Sequence, residues 1–102
     1  MFQDLNSLSA GIDKYLTIPE IKNNPSITLT NARGAYSVPL AEYTIMSLLY
    51  FNYHIPTYFK AFTHKTWERP VNELVDKKTI LIIGYGKKGV AIAKRIKPVF
   101  NM

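Results

Sequence analysis

The sequence predicts an α/β fold, and three observations predict it. Ile27-Thr28-Leu29-Thr30 alternates and is rich in β-branched residues, the pattern of a short strand. Val38 to about Tyr53 reads as one long helix, with Ser37 as its cap and Pro39 in its first turn. Thr79-Ile80-Leu81-Ile82-Ile83 is an apolar run of the kind found in parallel sheets covered on both faces, and it leads into a glycine-rich turn and another helix. The chain has 102 residues, 47% of them hydrophobic and 20% charged, which excludes disorder over its whole length.

The elements follow in order. Leu5 to Asp13 reads as a strand end running into a turn at Ser9-Ala10-Gly11. Thr17 is placed to cap a helix whose first turn holds Pro19 and Glu20. Asn23-Asn24-Pro25 breaks that helix, and the strand at Ile27–Thr30 follows. Asn31-Ala32-Arg33-Gly34 is a loop before the long helix. Glu42 lies near the positive end of that helix, where a carboxylate is favourable. Pro56 ends or kinks the helix, and a second helical stretch runs through Phe62. Thr63 to Val75 is polar and irregular, a connector crossing a surface. After the apolar strand, Val90 to Ile96 forms a helix ended by Pro98.

The apolar residues of Val38–Ile55 do not keep to one stripe, so this helix should be buried on most sides. Tyr43 to Phe59 is uncharged over 17 residues, the short limit for a membrane span, but it holds Asn52, His54 and Pro56. Burial between two domains or two subunits is the expectation, and no membrane partner is expected.

Net charge is +6, and ten of the thirteen basic residues lie from Lys60 to Lys97. No nucleic-acid motif accompanies this charge, so a solvated helix face with local attraction for phosphate is the reading and no nucleic acid is expected. The absence of cysteine excludes disulfides, thiolate metal sites and a thiol nucleophile. Met1-Phe2-Gln3-Asp4-Leu5 has no basic region followed by an apolar run, so no signal peptide is expected, and a reducing, cytoplasmic location fits. No metal site is expected.

Gly84-x-Gly86-x-x-Gly89 is a weak pattern strengthened by its place between a strand and a helix. Gly84 permits the tight turn, Gly86 lets backbone approach a pyrophosphate, and Gly89 lets helix pack on strand. Free N–H groups of the first helical turn then bind phosphate. Gly84, Tyr85, Gly86, Lys87, Lys88 and Gly89 are the candidate cofactor-binding residues. Lys87 and Lys88 either pair with phosphate or face water. The plainer alternative for the whole loop is a glycine-rich turn in another α/β protein. An acidic residue about 20 positions on would hold the ribose of NAD; the sequence stops 13 residues after Gly89, so NAD is not told from NADP, and the cofactor expected is NAD with NADP open.

The order of blocks is informative. Ser9-Ala10-Gly11-Ile12-Asp13, Thr30-Asn31-Ala32-Arg33-Gly34, Leu40-Ala41-Glu42-Tyr43, Trp67, Leu74 with Lys78-Thr79, and then the Gly84 loop together resemble the middle of a D-isomer-specific 2-hydroxyacid dehydrogenase. The resemblance runs from about Leu5 to Asn101. It implies the C-terminal part of a flavodoxin-like substrate domain over 1–36, a crossover helix and connector over 37–76, and the first β-loop-α of a Rossmann NAD-binding domain over 77–102. It implies that backbone N–H groups at Ala10 and Gly11 hold a substrate carboxylate; an ordinary strand-end turn is the alternative. It places Tyr36 and Ser37 near the nicotinamide, with Ser37 equally a simple helix cap. It gives Glu42 a structural role at the helix start.

The family's catalytic Arg, its acidic partner and its His lie downstream of the glycine loop and have no counterpart here, so no catalytic residue is assigned. His54 and His64 lie upstream; His54 reads as a helix-end or interface residue and His64 as a connector residue. The resemblance therefore implies an incomplete NAD-dependent dehydrogenase, inactive alone, whose full-length form is a homodimer acting on small 2-hydroxy or 2-oxo acids. Two alternatives stand beside it: a non-catalytic short product that docks onto the full-length enzyme through Val38–Ile55, and a piece of another Rossmann oxidoreductase or nucleotide-sensing module.

Overall fold

A computed structural model of the chain describes residues 3–101; Met1, Phe2 and Met102, with the part of the leader reading that falls on the first two, lie outside them. The chain divides into two compact units, one ending at Tyr36 and the other beginning at Ser37.

The first unit is built on a parallel pair. Strand β1 (Asp4–Ser7) runs beside β2 (Thr28–Asn31), with Asp4 opposite Thr28 and Ser7 opposite Asn31. Parallel neighbours need a crossover between them, supplied here by two single-turn helices, α1 (Asp13–Leu16) and α2 (Pro19–Lys22). The Asn23-Asn24-Pro25 breaker acts through Asn24, whose Oδ1 accepts from the Ser26 N–H at 3.0 Å. Thr17 does not cap α2 as expected. Its backbone is already helical, with φ −87° and ψ −11°, and its hydroxyl donates to the Lys14 carbonyl at 2.7 Å, closing α1. The extended cap position falls to Ile18, whose side chain makes no bond there.

The second unit is three helices: α3 (Ser37–Asn52), α4 (Ile55–His64) and α5 (Lys87–Phe100). Helix α3 packs against α5 and, less extensively, against α4. Ala41 on α3, Ala61 on α4 and Ile96 on α5 are buried, as is Val75 from the connector. Small residues at Ala41 and Ala61 let helices approach closely, and Ile96 supplies the bulk. His54, in the left-handed region at φ 50°, turns the chain between α3 and α4, and Pro56 sits in the first turn of α4.

Four expectations are corrected in this unit. His64 ends α4 and is not a connector residue. Glu42 sits in the second turn of α3, too far along to satisfy the first N–H groups. Pro98 lies inside α5, which continues to Phe100; in a last turn the missing N–H forfeits a single bond. Within this chain helix α3 is not buried on most sides, since Tyr43, Met46 and Phe51 are exposed. No helix among the described residues is long and apolar enough to cross a membrane.

Thr79–Ile83 also departs from expectation. It alternates as a strand does, with Ile80 and Ile82 half-buried, but it joins no ladder, and the sheet of the described residues holds β1 and β2 only. Leu81 and Ile83 point outward at 82% and 91% exposure. A strand is defined by a neighbour that takes its N–H and C=O groups, and this segment has none among the described residues. Such a bare apolar edge favours association. The chain should therefore aggregate with rising concentration, and the double variant Leu81→Lys, Ile83→Lys should suppress this without changing helix content, as checked by light scattering and circular dichroism.

A polar tether fixes the connector to the end of α3. Asn52 Nδ2 donates to the Glu73 carbonyl, and Lys78 Nζ donates to Asn52 Oδ1 at 3.1 Å and to Glu73 Oε2 at 2.6 Å. The Lys78 hydrogen bond, then its charge, holds the Glu73 carboxyl below its ordinary value of 4.5. A depressed carboxyl stabilises the fold above that ordinary value and stops doing so as pH falls through the lower folded value. The pair is exposed, so the effect is small. Wild type should melt slightly higher than Glu73→Gln at pH 7, and the gap should close below pH 4.5 in a series of thermal melts.

Candidate functional site

The glycine loop is shaped by three different constraints. Gly84 has φ 95°, in the left-handed region where a side chain is strained, and it turns the chain from Thr79–Ile83 towards α5. Gly89 is buried in the first turn of α5. A Cβ there would overlap the Gly84 carbonyl oxygen and stand 3.2 Å from its carbon and 3.4 Å from Ile82 Cγ2. Gly86 is different: it takes an ordinary extended conformation at φ −82°, and a Cβ on it would meet nothing within 4 Å. It opens onto free space at the helix start.

Gly86 is also the cap residue of α5, and no side chain caps the helix. Its carbonyl accepts the first helical bond, from the Val90 N–H at 2.9 Å. The N–H groups of Lys87, Lys88 and Gly89 precede that bond and have no partner within the helix. No acidic residue lies in this first turn. Tyr85, Lys87 and Lys88 are exposed beside it. The surroundings are positive: from residue 37 onward there are ten basic side chains against four acidic ones, whereas residues 1–36 hold three of each. The geometry suits a phosphate anion, held by peptide N–H groups at the positive end of a helix dipole.

The second candidate site lies in the first unit, at the C-terminal ends of β1 and β2. The chain leaves β1 at Ser7 and bends through Leu8, Ser9 and Ala10. The Ser9 N–H donates to Ser7 Oγ at 3.2 Å. The Leu8 carbonyl accepts from the Tyr36 hydroxyl at 2.9 Å, the Ser9 carbonyl from the Ala32 N–H at 3.1 Å, and the Ala10 carbonyl from Asn31 Nδ2 at 2.8 Å. Ser9, Ala10, Gly11, Asp13, Lys14 and Tyr15 line a shallow pocket here.

Tyr36 was expected beside a nicotinamide; its hydroxyl is engaged within its own unit. Ser37 is one position inside α3 and not its cap, and its hydroxyl oxygen is buried without a partner among the described residues. Asn31 was read only as loop. The signal was local, since an asparagine at a strand end often bonds nearby backbone, but its main partner lies 21 positions away.

Another groove lies between α3 and the connector, about 660 Å³ in volume. Of its polar groups, Asn52, Glu73 and Lys78 are spent on one another, and the Thr44 and Ser47 hydroxyls donate to carbonyls of α3. His54 lines it but stands at the cap of α4. Among the described residues no cluster of three metal-ligating side chains occurs. Comparison with family models, curated proteins and solved structures gives no match for this chain.

The loop makes a sharp stability prediction. Gly89→Ala should destabilise the chain by about 1–3 kcal/mol, because backbone has to give way. Gly86→Ala should instead stabilise it by about 0.5–1 kcal/mol, because alanine fits the same conformation and restricts the unfolded chain. Urea unfolding of the two variants side by side checks the contrast.

Proposed function

We propose that the Gly84–Gly89 loop holds the pyrophosphate of a nicotinamide dinucleotide, NAD with NADP open, in an oxidoreductase acting on the CH–OH group of a D-2-hydroxy acid. The observation that carries the reading is the division of labour in the loop: Gly84 and Gly89 satisfy the turn and the helix approach, while Gly86 leaves backbone open to a ligand. On this reading Thr79–Ile83 is the first strand and α5 the first helix of a Rossmann unit, α3 is the crossover helix, and the β1–β2 unit belongs to a flavodoxin-like substrate domain.

The chain's own residues bind and orient. N–H groups of Lys87, Lys88 and Gly89 donate to phosphate oxygens, and the two lysine side chains add positive charge beside them. N–H groups of Ala10 and Gly11 hold the carboxylate of the acid. When bound, the nicotinamide supplies the hydride acceptor or donor for C2 of the acid. The Arg, acidic residue and His that the resemblance implies for the chemical step have no counterpart in these 102 residues, so the chain alone is expected to be inactive.

Titrating the ¹⁵N-labelled chain with NAD and with ADP tests the cofactor half. Amide shifts should centre on Gly86–Gly89 for both ligands. Lys87→Ala and Lys88→Ala should each weaken binding roughly two- to fivefold, and Gly86→Val should abolish it while leaving the thermal melt in place. A wild-type loop that does not respond to either ligand would sink the reading.

A further inference from the structure

We infer that Asn31 and Tyr36 are positioning residues that aim the peptide N–H groups of Ala10 and Gly11 at a small carboxylate ligand; the inference rests on the substrate half of the proposed function. Three successive peptide groups of this turn differ in their hydrogen bonds. In the peptide joining Leu8 to Ser9 both ends are satisfied, the carbonyl by the Tyr36 hydroxyl and the N–H by Ser7 Oγ. In the next two, only the carbonyls are satisfied within the described residues: Ser9 C=O by the Ala32 N–H, and Ala10 C=O by Asn31 Nδ2. No cis peptide occurs in the described chain, and in a trans peptide the N–H points opposite to the C=O. Drawing the Ser9 and Ala10 carbonyls towards residues 31 and 32 therefore turns the Ala10 and Gly11 N–H groups the other way, and both residues line the pocket.

Asn31 is itself held. Its Oδ1 accepts from the Arg33 N–H at 3.3 Å, which leaves Nδ2 as the donor facing Ala10. Tyr36 holds the start of the same turn through the Leu8 carbonyl. Neither side chain lines the pocket, so both act through the peptide groups. Two charges flank those N–H groups, Asp13 and Lys14. The Asp13 carboxylate comes within 3.9 Å of where a Gly11 Cβ would stand, so it opposes an anion at this spot while Lys14 favours one.

The test uses the full ¹⁵N-labelled chain, kept dilute, with glycolate as the carboxylate probe. In wild type the Ala10 and Gly11 amides should shift on titration. Tyr36→Phe, which removes one hydroxyl from an exposed ring, should raise the glycolate Kd about two- to tenfold, and Asn31→Ala by at least as much. Asp13→Asn should lower it, a change that a purely structural turn would not produce. The β1 and β2 amides report whether each variant is folded, and Tyr36→Phe decides the matter where Asn31→Ala does not fold. Silent Ala10 and Gly11 amides in wild type, or an unchanged Kd in Tyr36→Phe, would overturn the inference. Adding ADP to the same samples separates the two halves of the proposal. A response at Gly86–Gly89 without one at Ala10 and Gly11 refutes the positioning role alone, and the converse refutes the dinucleotide reading alone.

Discussion

At the start of α5 the backbone carbonyl of Gly84 occupies the space that a side chain at position 89 would need. The first turn of the helix can seat on the preceding turn only because that side chain is missing, and Ile82 closes the same contact from the other side. Where α5 begins is therefore set by backbone meeting backbone, which has little room to relax. From that seat the helix runs along α3 and buries Ile96. The same approach leaves three N–H groups at the helix start clear of side-chain caps. The helix packing and the open N–H groups are thus two results of one close contact.

The first unit rests on register. Pairing Ser7 with Asn31 places the C-terminal ends of both strands side by side, so the turn that leaves β1 meets the loop that leaves β2. Residues far apart in sequence can then exchange hydrogen bonds, and three consecutive carbonyls of one segment are taken up by the other. Crevices at the carboxyl ends of parallel strands are where open α/β sheets bind ligands. The physical reason is visible here: the strand ladder stops, and peptide groups beyond it must find other partners or remain available.

Features governed by neighbouring residues were legible in the sequence. The glycine spacing, the strand near Thr28 and the long helix from about Val38 depend on steric limits and on hydrophobic pattern, both written locally. Features governed by distant partners were not. Thr79–Ile83 has the composition and the alternation of a strand, yet its pairing depends on a neighbour that composition cannot supply. Thr17 and Ser37 have the chemistry of caps, but capping also requires extended backbone at that residue, and each sits in helical geometry instead. Asn31 gave no sign of its partner because the bond to Ala10 crosses 21 residues and exists only through the strand register.

Gly86 separates a packing motif from a binding one. Glycine inside an ordered segment costs roughly 0.5–1 kcal/mol relative to alanine through lost chain entropy. At Gly84 a positive φ offsets that cost, and at Gly89 the carbonyl contact does. At Gly86 neither applies, since the conformation suits any residue and the surroundings are empty. Folding therefore explains two of the three glycines. On the proposed function the third leaves room for a ligand to come close to backbone from solvent, at the positive end of α5 and beside two lysines. A phosphate group meets those conditions, being anionic and able to accept several N–H bonds at once. An apolar or cationic ligand meets neither, and for that reason Gly86, more than the full three-glycine spacing, supports the dinucleotide reading.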